Sequence, residues 1–247
     1  MPRIHNYREE LRRLKTWEPY LRKNSGLPGP RGDLELAQAV AAEATPSQIR
    51  SLLAVANAQA PENTPGVFLF FCGVLGLGRL AASGQHRHLR ELRHYASDRR
   101  WRAREAVAMA LQAVGDADIG LLLATAADWS RGNWLEKRAA AAALAEPRLL
   151  VDASVVERVL AIFDEIMAEI SASAGNRAED FRALRQAMGY CWSVAIVALP
   201  TAGKAAFENW LGHAHADIKW VVRENLKKNR LVRMDSAWVT RVLARNS

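Results

Sequence analysis

Apolar side chains recur along this chain every three to four residues and almost nowhere alternate. Ile119, Leu122, Leu123, Ala126 and Ala127 fall at i, i+3, i+4, i+7 and i+8. Val155, Val159, Ile162, Phe163, Ile166 and Ile170 make a second stripe, with Glu157, Arg158, Glu165 and Glu169 off it. Such positions share one face of an α-helix. The lack of alternating runs predicts an all-α chain. Most prolines fall between the periodic runs; Pro19 is the exception and predicts an end or kink in the first helix. Helix starts are marked by Asp33 before Leu34, by Thr45-Pro46, by Thr64-Pro65 and by Asp235.

The periodic runs come in pairs: 5–23 then 33–44, 46–59 then 65–82, 86–96 then 98–114, 117–129 then 132–145, 153–171 then 178–198, and 202–212 then 217–229. A short run at 236–245 closes the chain. Leu27-Pro28-Gly29-Pro30-Arg31-Gly32 reads as a rigid turn, and 171–175 as a flexible linker. Several second members are apolar all round: 67–77, 106–114 and the alanine run 139–143. A helix without a polar face is expected to be covered on most sides, and small alanines let neighbours come close. The expected organisation is one domain over 1–247: a basic helix and turn (1–32), repeats (33–231) and a capping helix (232–247).

One constellation repeats. Asp98-Arg99-Arg100-Trp101-Arg102-Ala103-Arg104-Glu105 matches Asp217-Ile218-Lys219-Trp220-Val221-Val222-Arg223-Glu224 as D-x-x-W-x-x-R-E. Arg131-Gly132-Asn133-Trp134-Leu135-Glu136-Lys137-Arg138 is a degenerate copy, 33 residues after the first. An Asp at a helix start caps free N–H groups, and an Arg six residues on lies about 1.7 turns further. Ladders of such pairs are expected to link neighbouring units. The chain here resembles the HEAT-like repeat family, over about residues 33–231 and most clearly at 86–145 and 202–231. That resemblance implies an α-solenoid of about six helix pairs in a right-handed superhelix. The Trp-rich helices of this basic chain look like those of the bacterial DNA-alkylation-repair proteins, HEAT-like solenoids whose concave basic surface holds duplex DNA. Alkylpurine glycosylase activity in that family relies on a concave-face Asp beside Trp and Arg. The nearest positions here are Glu105, beside Trp101 and Arg104, and Glu224, beside Trp220 and Arg223; both are Glu where the family has Asp. A motif present twice reads more naturally as structural.

Charge sharpens the picture. The net charge is +8 with a sequence pI near 9.9. Residues 1–32 carry eight basic and three acidic side chains, and residues 181–247 eleven and four, whereas 106–180 is acidic. Basic segments on one face would attract phosphates. Trp101, Trp134 and Trp220 are candidates to stack on bases or cage a cation, or else to pack between repeats. Arg104, Lys137, Arg138, Arg223, Lys227 and Lys228 are candidates to contact phosphates, or else to pair with the repeat carboxylates. Glu224 cannot neutralise both Lys227 and Lys228.

Other signals carry less chemistry. His86-x-His88 and His213-x-His215 diverge on a helix and are not completed by a cysteine or carboxylate cluster, so no metal is expected. Cys72 and Cys191 read as inert core thiols, which excludes a disulfide framework. Gly73, Gly76 and Gly78, and likewise Gly203-Lys204, follow no strand and make no phosphate loop. The N-terminal residues lack an apolar core for a secretion signal. The apolar run 67–77 is too short to span a bilayer. A cytoplasmic location follows as an expectation. The function expected is non-enzymatic: a concave, partly basic surface that holds a macromolecular partner, duplex DNA or another polyanion first, with no cofactor. A DNA glycosylase using Glu105 or Glu224 is the alternative. A protein-binding scaffold contacting partners through the acidic block is a further one.

Overall fold

The computed structural model describes residues 2–55, 60–173 and 175–245, and among them it is all helical, with fourteen α-helices and no strand. The chain packs as two compact units, residues 1–117 and 118–247. The first holds α1 (Pro2–Arg13), α2 (Glu18–Asn24), α3 (Leu34–Glu43), α4 (Pro46–Leu53), α5 (Pro65–Ala82), α6 (His88–Ala96) and α7 (Trp101–Ala117). The second holds α8 (Ile119–Trp129), α9 (Trp134–Leu144), a 3-10 turn at Pro147–Leu149, α10 (Ala153–Ala172), α11 (Glu179–Ala198), α12 (Pro200–Glu208), α13 (Ala216–Leu226) and α14 (Asn229–Arg245).

Local chemistry sets most of these boundaries. Asp33 accepts from Leu36 N at 2.9 Å, Asp118 from Leu121 N at 2.9 Å, and Asn133 from Leu135 N and Glu136 N. Thr45 and Gln48 form a capping box. Three sequence expectations need correction. The run 5–23 is two helices: the chain opens after Arg13, and Pro19 lies in the first turn of α2, where its missing N–H costs nothing. Thr64 caps nothing with its side chain and instead donates to Pro61 O at 2.8 Å. His215, not Asp217, caps α13, its Nδ1 accepting from Asp217 N at 3.2 Å. Asp235 opens the last run as expected: it is non-helical (φ −160°) and accepts from Trp238 N at 2.9 Å, and α14 consists of a short stretch from Asn229 joined to that run across this kink. The end of the run 46–59 lies outside the described residues.

Two of the three runs without a polar face are wholly covered, and 106–114 is buried except at Met109, Gln112 and Ala113. Every residue from Val67 to Leu77 is buried, as are all five alanines of 139–143. In the first unit α5 lies against α2, α3, α4, α6 and α7, while α1, α3, α5 and α7 follow one another as neighbours. With its flanks, the run 67–77 becomes an 18-residue helix long and apolar enough to cross a membrane by length and composition alone; most of it is buried inside the unit. Its glycines permit the close packing. A Cβ on Gly78 would stand 2.6 Å from Ala110 Cα of α7, and one on Gly76 2.6 Å from Ile49 Cγ1 of α4. The G-x-x-G-x-G spacing is therefore a contact surface on two sides of one helix.

In the second unit α9, α11 and α13 pack side by side, and so do α8, α10 and α12; α14 lies on α11 and α13. Its core is tied by a run of rings, Phe163 to Trp192 (5.7 Å), Trp192 to Phe207 (5.6 Å) and Phe207 to Trp238 (6.2 Å), from α10, α11, α12 and α14. Asn225 of α13 is fully buried and bridges to α11, donating to Met188 O and accepting from Ser193 N.

Candidate functional site

Two of the three copies of the Trp motif share a feature beyond the expected Asp–Arg ladder. In the first copy Arg104 donates to the backbone carbonyls of Asp98 (2.7 Å) and Arg99 (2.8 Å). In the degenerate copy Lys137 donates to Gly132 O. In both, the base three residues after the Trp reaches back to the carbonyl two residues before it, and so ties the turn that enters the helix. The carboxylates are taken by other partners. Asp98 accepts from Arg100 Nε and Nη2 (2.9 and 2.7 Å); burial opposes its ionisation, but those bonds outweigh it and its pKa falls below the ordinary range. Asp217 is bound by Arg185 of α11. Arg223, the last base of the motif, is exposed.

The tryptophans do not share one environment. Trp134 is half-buried and meets Phe181 of α11 edge-on at 5.3 Å. Trp220 is half-buried against α11 on the other side, where a Cβ on Gly189 would stand 3.0 Å from its ring. Both thus pack in seams of the α9–α11–α13 layer. Trp101 is 43% exposed. Each ring carries a cation over a face: Arg102 on Trp101 (4.5 Å), Lys137 on Trp134 (5.5 Å) and Arg185 on Trp220 (4.6 Å). Those cations would repel a positively charged base, so the arrangement works against a cage for a cationic lesion.

Glu105 is half-buried and lines a cavity of about 240 Å³ with Trp101, Arg102, Phe68, Phe71, Leu34 of α3 and the turn residues Leu27, Pro30, Arg31 and Gly32. Glu224 is half-buried beside Trp220 and ion-paired with Lys227. The two glutamates therefore stand in different settings, one on a cavity wall and one in an ion pair.

The two basic ends of the chain differ in how their charge is spent. At the N-terminus Arg3 pairs with Asp33 and Glu35, Arg8 and Arg12 with Glu43, Arg13 with Glu10 and Arg22 with Glu18. At the C-terminus the nearby acids are engaged: Asp217 by Arg185, Glu224 by Lys227 and Asp235 by Lys204. Among the described residues Arg223, Lys228, Arg230 and Arg233 form no ion pair with a carboxylate, and all but the half-buried Lys228 are exposed. Burial raises the Cys191 thiol of α11 to about 12, against a weaker electrostatic pull from Arg138 of α9 and Arg230 of α14. Arg230 and Arg233 escaped attention in the sequence. The signal was the spacing of Arg223, Lys227 and Arg230 at four and then three residues, which runs across the α13–α14 junction.

The remaining signals resolve as packing. His88 is buried and bonds Glu91 at 2.8 Å, while the His213 and His215 rings lie tilted to each other with centroids 6.5 Å apart, His213 next to Trp210. Among the described residues no group of three or more His, Cys, Asp or Glu side chains could hold a metal ion. Cys72 and Cys191 are buried free thiols, and a Cβ on Gly203 would meet Ile196 Cα of α11 at 2.6 Å. Compared with known proteins, the chain matches no family model, no curated protein and no solved structure.

Proposed function

We propose that the chain is a non-enzymatic binding protein built of HEAT-like stacked helix pairs, and that the C-terminal helices of its second unit hold a polyanion, duplex DNA first among them. What supports the repeat reading is the order of neighbours: second helices of successive pairs adjoin one another, α9 to α11 to α13, and so do first helices, α8 to α10 to α12. One observation carries the partner. Arg223, Arg230 and Arg233 are exposed while Asp217, Glu224 and Asp235 are bound to other bases, which leaves three unneutralised guanidiniums close together in sequence on α13 and α14. Arginine forks suit phosphate oxygens, and such contacts need no particular base sequence.

The test is fluorescence anisotropy of a labelled 20-base-pair duplex across a salt series. The expected result is an affinity that falls steeply with salt. Replacing Arg223, Arg230 and Arg233 together by Gln should reduce the slope of log K against log salt by about 2 to 3, at about 0.9 per phosphate contact, with thermal stability unchanged. Flat or undetectable binding at low salt would remove the polyanion and favour a protein partner.

A further inference from the structure

The second unit holds a cleft that the polyanion reading does not use, and an inference about it stands without Arg223, Arg230 or Arg233. The cleft is open, has a volume of about 560 Å³, and lies between the entry to α11 and the start of α13. That is room for a molecule larger than a lone ion. Arg177, Arg182 and Arg185 line it, against one carboxylate, Asp217. Asp217 is neutralised at close range by Arg185, whose guanidinium also lies over the Trp220 ring at 4.6 Å. Arg177 and Arg182 are exposed and form no ion pair with a carboxylate among the described residues. Glu179 and Asp180, which open α11, lie outside the lining, and Asp180 Oδ1 accepts from Phe181 N at 2.8 Å. Once the Arg185–Asp217 pair is set aside, the walls present two uncompensated positive charges.

The other polar groups of the cleft donate. Asn176 Oδ1 accepts from Ala178 N at 3.0 Å, which leaves its Nδ2 amide as a donor. His215 Nδ1 accepts from Asp217 N at 3.2 Å, so the neutral ring carries its proton on Nε2 and donates there. Gly175 and Ala216 complete the lining, so no apolar side chain larger than a methyl group faces a guest. Such walls suit a ligand that accepts hydrogen bonds throughout and is doubly negative at one end. A phosphomonoester has that character: above its second pKa of about 6 it carries two charges and three acceptor oxygens. Guanidinium forks fit those oxygens. The Arg185–Asp217 pair ties α11 to α13 across the cleft before any ligand arrives, and a preformed site saves the entropy of closing around a guest.

We infer that this cleft binds a small hydroxylated phosphomonoester, its dianionic phosphate on Arg177 and Arg182 and its polar body on Asn176 and His215. The site selects two negative charges on one group and offers no wall to an aromatic body.

Calorimetric titration of the full chain at about pH 8 with glucose 6-phosphate and glucose 6-sulfate tests it, since the two share a body and differ by one charge. One glucose 6-phosphate is expected to bind per chain, with a Kd of about 0.1–1 mM and at least about fivefold more tightly than the sulfate. Inorganic phosphate should bind at least about threefold more weakly than the ester. Arg177→Gln combined with Arg182→Gln should weaken the ester at least about tenfold. Both side chains are exposed and have no carboxylate partner to lose, so the melting temperature of that variant should not change. The inference is overturned if the ester does not saturate below about 10 mM, if the sulfate binds as tightly, or if the folded double variant keeps wild-type affinity. Equal binding of inorganic phosphate and ester would overturn the contacts assigned to Asn176 and His215.

Discussion

Glu91 sits where Arg50 and His88 converge, and its carboxyl is held down to about 2, first by the Arg50 bonds and then by His88. A carboxylate whose folded pKa lies below its unfolded value stabilises the fold at neutral pH, and the gain is lost as pH falls through the ordinary carboxylate range toward about 2. Glu91→Gln should therefore cost about 1–2 kcal/mol at pH 7. The gap from the wild-type chain should close as melts are repeated down to pH 2.5. A gap of the same size at pH 7 and pH 2.5 would assign the loss to packing instead. None of this is legible in the sequence, because Arg50 and Glu91 lie on α4 and α6, 41 positions apart. The burial of Cys72, Cys191 and the alanines, by contrast, follows from runs with no polar residue to face water.

At the scale of single helices, the fold-back of Arg104 and Lys137 gives the Trp motif a local job. Arg104→Met and Lys137→Met should each lower stability by about 0.5–1.5 kcal/mol through loss of bonds to the entering turn and, for Lys137, of its ion pair with Glu169 of α10. Neither should change duplex affinity more than about twofold. A large loss of affinity with unchanged melting would instead make them phosphate contacts. The sequence signalled that this spacing mattered but not how. A base that ladders to a neighbouring Asp and one that turns back to its own backbone need the same residue at the same position. Helix cores were readable from their period, as Pro65–Ala82 and Ala153–Ala172 attest. Ends were harder where a histidine side chain replaced the expected Asp, as at His215, whereas Asp235 opens its run as its residue type predicts.

Across the whole molecule, the meaning of the +8 charge depends on pairing rather than on count. Residues 1–32 and 181–247 look alike as basic segments, yet the first spends its arginines on Asp33, Glu35 and Glu43. Replacing Arg8 and Arg12 by Gln should destabilise the first unit by about 1 kcal/mol, since Glu43 would lose both partners and its lowered pKa would rise. Duplex affinity and its salt slope should stay the same. An equal loss of affinity from these and from the C-terminal arginines would reduce the effect to net charge alone. The sequence revealed the blocks of charge but not this asymmetry, because Glu43 lies more than thirty positions from the arginines it holds.

The linked rings of Phe163, Trp192, Phe207 and Trp238 also give the protein an optical signature. Trp192 and Trp238 are shut away from solvent, whereas Trp101 stands at the surface. Iodide in the buffer would dim the red-shifted emission of the exposed indole and spare the blue emission of the enclosed ones. Loosening of the second unit would then show as quenching that spreads into the blue part of the emission, with no label attached.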